Sequence, residues 1–205
     1  MSKQGLQKKF EQNCKLTVIG LDPGQKNFSL TVQTVSKKKL SIKKTSIIPY
    51  TIENLKNKPQ KEKNRNLPEF IEQFKDFVSY TDEILNYWKP DIVCIERFQG
   101  RGIKGSLGER INYMISCWII KSLSFGTEVY IITPAEWKNK FDKNYVLSLK
   151  NFYNNAEANG IPNHCVDSFL IGNYSISLAL NNKPYVYLSD KTLETFINEM
   201  VKNYG

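Results

Sequence analysis

The order in which hydrophobic periodicity changes along this chain does most to limit its fold. Lys15 to Leu21 is apolar and β-branched, and it stops at Asp22-Pro23-Gly24, a triplet that breaks a strand. Phe28, Leu30, Val32 and Val35 alternate in a second run, and Leu40, Ile42, Ile47 and Ile48 make a third beyond the Lys37-Lys38-Lys39 turn. Three strands joined by short turns predict an antiparallel meander. The period then changes to that of a helix: Pro68 suits a first turn, and Phe70, Ile71, Phe74, Phe77, Ile84, Leu85 and Trp88 recur until Lys89-Pro90 stops them.

Ile92-Val93-Cys94-Ile95 is a short continuous apolar run ending in Glu96, the pattern of a strand covered on both faces. A glycine-rich segment follows, and Ile111, Met114, Ile115 and Trp118 then mark an amphipathic helix. Glu128 to Thr133 reads as another buried strand, with Pro134 opening a short helix. Further helices are expected up to Gly160 and from Pro162-Asn163 onward. This order predicts an α/β fold: a mixed five-stranded sheet, three strands antiparallel and then two parallel, flanked by helices. A chain of 205 residues is expected to form a single domain. Its core would span about 15–180, a polar basic insertion about 50–66 and a helical tail about 185–205.

Hydrophobic residues at 40% and charged residues at 24% fit a globular protein and argue against a collagen-like, coiled-coil or mostly disordered chain. No apolar run approaches the roughly 20 residues that cross a bilayer, and Met1 to Asn13 lacks a leader pattern, so no membrane partner is expected. The four cysteines stand singly and read as reduced, buried thiols. Net charge is +9, and between Lys37 and Arg65 ten basic residues face only Glu53 and Glu62. Cationic density of this kind favours a polyanion through counterion release, which makes nucleic acid the first candidate partner; a solvated loop that maintains solubility is the alternative.

Three carboxylates interrupt apolar elements at or near their ends: Asp22 after the first strand, Glu96 after the fourth, and Asp167 in the last core helix. A carboxylate beside a core is costly unless a cation or donor compensates it. His164 stands three residues before Asp167, which puts both on one helix face. If the strand ends are neighbours and the helix crosses them, four ligands converge, a set suited to Mg²⁺ or Mn²⁺ more than to zinc. Each residue taken singly also has an ordinary structural reading, as turn aspartate, surface ion-pair partner or helix-start residue.

At these residues the sequence resembles the RuvC-type Holliday junction resolvases of the RNase H-like superfamily. Val18-Ile19-Gly20-Leu21-Asp22-Pro23-Gly24 looks like the family's first motif, Ile92-Val93-Cys94-Ile95-Glu96 its second, and His164-Cys165-Val166-Asp167-Ser168 its last, with His a known variant of the first ligand in that pair. Thr133-Pro134-Ala135-Glu136-Trp137-Lys138 resembles the strand-to-helix segment carrying a DNA-contacting Lys, and Asp142-Lys143 a second such position.

The resemblance, covering Lys15 to about Leu180, implies a metal-dependent endonuclease that nicks opposed strands of four-way junctions. Asp22, Glu96, His164 and Asp167 would be its catalytic metal ligands, with two Mg²⁺ ions per site and Mn²⁺ able to substitute. Arg97, Phe98 and Arg101, followed by Lys104 and Arg110, would join Lys138 and Lys143 in binding DNA, with Phe98 stacking at the branch point or serving as core. Leu107-Gly108 looks like the start of the helix that joins two subunits, so a homodimer is expected. By analogy the setting is the cytoplasm of a bacterium or a phage-infected cell. Alternatives are a nuclease for other branched DNA or RNA/DNA hybrids, a non-catalytic DNA-binding protein, and an actin-like ATPase, which would need a second lobe.

Overall fold

A computed structural model describes residues 2–12, 14–24, 27–37, 39–49, 67–98, 106–138, 143–180 and 190–205, with backbone alone for 67–70, 106–107, 143–149 and 190–195. The strands are β1 (Leu16–Asp22), β2 (Ser29–Val35), β3 (Leu40–Ile47), β4 (Ile92–Glu96) and β5 (Glu128–Ile132). The helices are α1 (Lys3–Glu11), α2 (Leu67–Trp88), α3 (Ser106–Ser124), α4 (Pro134–Lys138), α5 (Lys143–Ala158), α6 (Asn163–Leu180) and α7 (Asp190–Lys202).

The sheet runs β3-β2-β1-β4-β5. β1 pairs antiparallel with β2, and β2 with β3, whereas β1–β4 and β4–β5 are parallel, as the sequence pattern predicts. The chain therefore passes through α2 before laying β4 alongside β1, and through α3 before β5.

Side-chain alternation sorts the sheet into two buried faces. Ile19, Leu21, Leu30, Val32, Val93 and Ile95 pack with residues of α2 and α3, including Phe77, Leu85, Ile111 and Trp118. Leu16, Val18, Ile92 and Cys94 point the other way, into a core with α6 that also takes Leu6 of α1, Trp137 of α4, Phe152 of α5 and Phe196 of α7. α6 is buried nearly all round because it lies between the sheet and these outer helices.

Several details depart from the sequence reading. The polar start forms α1, capped by Ser2, whose hydroxyl accepts from the Gly5 amide. Its Lys9 donates at 2.6 Å to Asp91, which also accepts from the Thr17 amide, so the buried Asp91 carboxylate is compensated on both oxygens. β5 is the edge strand among the described residues, and its Ile131 is 52% exposed. Cys94, Cys117 and Cys165 are buried thiols, but Cys14 is exposed.

The expected tail helix is α7, packed against β3, where Glu199 accepts from the Ile42 amide. Beyond it the chain end pairs with the open edge of β3: the Thr45 amide donates to the Asn203 carbonyl and the Gly205 amide to that of Thr45. The basic insertion at 50–66 falls outside the described residues. Among the described residues, no helix is long and apolar enough to cross a membrane.

Candidate metal centre

Strand alternation alone places two of the carboxylates. Along β1, residues 16, 18, 20 and 22 share the face toward α6, and along β4 residues 92, 94 and 96 do so. The parallel register pairs Leu21 with Ile95, which brings Asp22 and Glu96 out side by side at the carboxyl ends of adjacent strands. Asp22 is 6% exposed.

The helix is brought to them by an unusually close approach. A Cβ on Gly20 would lie 2.0 Å from the Ser168 carbonyl oxygen and 2.5 Å from the Gly172 nitrogen, and one on Gly172 would meet Gly20 and the Gln33 side chain. Glycine at position 20 is what lets the backbones of β1 and α6 come this near, and at Gly172 a Cβ would be tight against Gly20 at 3.2 Å and displace the Gln33 amide. The polar face of β2 fixes how the helix sits: Ser29 Oγ donates to the His164 carbonyl at 2.6 Å, Thr31 Oγ1 to that of Cys165 at 3.3 Å, and Gln33 Nε2 to that of Phe169 at 2.7 Å. These three side chains are fully buried; their donor groups are compensated by these hydrogen bonds, whereas Gln33 Oε1 is buried with no partner among the described residues.

The first turn of α6 is thereby held over the end of β1. Ligand atoms of Asp22, His164 and Asp167 all lie within 4.8 Å of one another. Each carboxylate of the region has one oxygen engaged by a donor from a different element. His164 Nδ1 is 2.7 Å from Asp22 Oδ2, Trp137 Nε1 donates to Glu96 Oε2 at 2.5 Å, and the Tyr153 hydroxyl donates to Asp167 Oδ1 at 2.5 Å. With Asp22 Oδ2 accepting, the first contact puts a hydrogen on Nδ1, and in the neutral imidazole Nε2 keeps its lone pair for a metal ion or a water proton.

Burial dominates the electrostatics. Desolvation pushes the Glu96 carboxyl up to about 7, against the Trp137 hydrogen bond and helped by the charge of Asp22. Asp167 is likewise raised, first by desolvation and then by Asp22, with the Tyr153 hydrogen bond and Lys138 opposing. His164 is raised chiefly by its hydrogen bond to Asp22, with desolvation acting against it. Desolvation and mutual charge thus oppose ionisation of Glu96 and Asp167, a cost that a divalent cation would offset, so this donor set of three carboxylates and an imidazole fits Mg²⁺ or Mn²⁺.

Of the four ligands expected from sequence, three form the tight group. Glu96 stands beside it on the neighbouring strand, drawn toward Trp137 and still within electrostatic reach of Asp22 and Asp167. Trp137 is presented by α4, whose start is a reciprocal cap: the Thr133 amide donates to Glu136 Oε2 and the Glu136 amide to Thr133 Oγ1, with Pro134 in the first turn. Lys138 Nζ lies 4.7 Å from the centre of the Trp137 ring.

Arg97 is exposed next to Glu96. Phe98 is half-buried against the α2–α3 core, close to Gly108. Arg110, on α3, is 8% exposed. Arg101 and Lys104 lie outside the described residues, and of Lys143 only the backbone, at the start of α5, is described. Sequence reasoning missed Trp137 and Tyr153 as partners of the carboxylates, because an aromatic at helical spacing reads as core.

No protein-family model matches the chain, and no curated protein matches it by sequence. Similar solved structures do exist. A Thermus thermophilus RuvC in complex with a Holliday junction substrate aligns at a TM-score of 0.57 and 16% identity, covering 80% of this chain and 95% of that one. Another Thermus thermophilus RuvC structure gives 0.55 and 16%, covering 81% and 97%. A yeast mitochondrial Holliday junction resolvase gives 0.48 and 12%, covering 95% and 90%. With its mixed sheet and flanking helices, the chain has the RuvC-like, RNase H-like fold.

Proposed function

We propose that this protein is a divalent-metal-dependent endonuclease acting on branched DNA, with four-way junctions as its foremost substrate. The convergence of Asp22, His164 and Asp167 within 4.8 Å, with Glu96 on the adjoining strand, carries this reading. The fold likeness to a RuvC bound to a Holliday junction supports the choice of substrate.

Asp22, Glu96, His164 and Asp167 would hold the metal, taken as two Mg²⁺ ions with Mn²⁺ able to replace them. Bound divalent ions supply Lewis-acid stabilisation of the phosphate and a water of lowered pKa. The chain's own residues do the rest. Asp22 holds the imidazole of His164 in one tautomer, leaving Nε2 to ligate or to take a proton from the attacking water. Lys138, fixed over the Trp137 ring, offers an ammonium group to the DNA backbone, and the exposed Arg97 a second cation beside Glu96. Phe98, half-buried against the α2–α3 core, would stack at the branch point. Arg101, Lys104 and Lys143 would extend this surface.

A four-way junction is two-fold symmetric, and symmetric nicking calls for two active sites. Ile120 and Leu123 on α3 are 65% and 59% exposed, and this apolar strip is the proposed contact between two copies. The working place would be the cytoplasm of a bacterial or phage-infected cell, with the chain acting as one nuclease domain.

Incubating the protein with labelled four-way junction, Y-fork and linear duplex in Mg²⁺ or Mn²⁺ tests the proposal. Paired nicks in the junction are expected, with none from Asp22→Asn or Glu96→Gln. Equal cutting of linear duplex would remove the substrate assignment, and cutting that survives either substitution would remove the site.

A further inference from the structure

Two aromatic residues on separate helices donate to carboxylates of the metal centre, and no step outlined above uses those donor groups. Trp137 of α4 is 1% exposed and donates its indole N–H to one oxygen of Glu96. Tyr153 of α5, half-buried, donates its hydroxyl to one oxygen of Asp167. An indole N–H is a donor only, so it cannot take part in a ligand shell or accept from a metal-bound water. Each contact engages a single oxygen of its carboxylate.

We infer that Trp137 and Tyr153 are positioning residues that keep Glu96 and Asp167 as one-oxygen ligands, and so set the preference of the site for small six-coordinate cations over Ca²⁺. The inference rests on the metal site proposed above and adds which of its neighbours select the ion. Mg²⁺ demands near-octahedral geometry with single-oxygen contacts, whereas Ca²⁺ takes more ligands and often both oxygens of a carboxylate. An oxygen held by a protein donor gives that donor one lone pair and takes its orientation from it, so turning the carboxylate to the two-oxygen mode strains the bond or breaks it. Both tethers are anchored outside the ligand set. Trp137 is fixed by the reciprocal cap of α4 and by burial beside α6. Tyr153 projects from α5, whose neighbouring Phe152 packs edge-on against Phe169 of α6 at 5.9 Å. The selecting groups are therefore rigid, as discrimination between two cations of equal charge requires.

Calorimetric titration of the metal-free full chain with Mn²⁺, Mg²⁺ and Ca²⁺ separately tests this, comparing the wild type with Tyr153→Phe, Trp137→Phe and Asp22→Asn. Tyr153→Phe is nearly isosteric and remains informative if the shorter ring at 137 loosens the fold, which circular dichroism would reveal. Outer-sphere partners typically change metal affinity by roughly 10- to 100-fold, so the ratio of Mn²⁺ to Ca²⁺ affinity is expected to fall by about five-fold or more in each aromatic variant. An unchanged ratio in Tyr153→Phe, with Mn²⁺ binding present in the wild type and lost in Asp22→Asn, overturns the positioning role and leaves the metal site standing. Absence of divalent binding in the wild type overturns both.

Discussion

Asp22 and His164, 142 residues apart in sequence, are joined by a contact of 2.7 Å between Oδ2 and Nδ1. The bond spans the seam between the end of β1 and the first turn of α6, and it exists only because those elements touch at Gly20 and Gly172. Sheet and helix thus share one site, and changes to their packing should be read out as changes in metal binding.

Gly20→Ala is the sharpest test of that seam. The new methyl would overlap the Ser168 carbonyl, which belongs to helix backbone and cannot rotate away. Overpacking of this kind costs about 1–3 kcal/mol or more, and the helix must shift away from β1 to relieve it. Denaturant melts should show the loss of stability, and a Mn²⁺ titration should show weakened binding even where the variant remains folded.

Thr31 probes the polar stripe that fixes the register of α6. Its hydroxyl lies 2.8 Å from Thr45 Oγ1 and 2.7 Å from Ser168 Oγ, all buried. Thr31→Val keeps the shape but leaves buried hydroxyls short of a partner, an effect of about 1–3 kcal/mol. Chemical denaturation of the metal-free protein measures it directly.

The pKa shifts give the metal-free protein a definite pH dependence. Glu96, Asp167 and His164 are all raised in the folded state, so the fold holds protons more tightly than the unfolded chain does. Their contributions therefore favour folding most at acid pH and are lost as pH rises, for Glu96 between its ordinary value of 4.5 and about 7. The melting temperature in chelator should be higher near pH 5.5 than near pH 8. Glu96→Gln should reduce that difference, and added Mn²⁺ should stabilise most at the higher pH, where displacing protons costs least.

Much of this arrangement was legible in the sequence. Asp22 and Glu96 could be found because each ends an otherwise apolar strand, and His164 and Asp167 because three-residue spacing puts them on one helix face. The succession of three strands and then alternating helices and strands followed from period two giving way to 3.6. The role of the polar residues on β2 was not legible: Ser29, Thr31 and Gln33 alternate with apolar residues as they would on a half-wet strand, yet all three are fully buried. The cause lies in the carbonyls of α6, which accept from them across a distance of more than a hundred residues in sequence. Gly20 likewise looks like an ordinary strand residue until the helix above it is known, and β5 looks central until its open edge is seen.

The apolar strip on α3 gives a separate prediction. Ile120→Asp or Leu123→Asp should leave the fold and Mn²⁺ affinity intact while shifting a dimer to monomers in light scattering coupled to size exclusion. A wild type that is monomeric at all concentrations would remove the proposed contact.

Crystals soaked in Mn²⁺ and recorded at the manganese absorption edge address the metal site most directly. Anomalous density is expected beside Asp22, Asp167 and His164, with Glu96 joining the ligand set through the oxygen that Trp137 does not hold. Well-ordered crystals with no manganese at these residues, or with manganese bound only elsewhere, would contradict the assignment of this cluster as a metal centre.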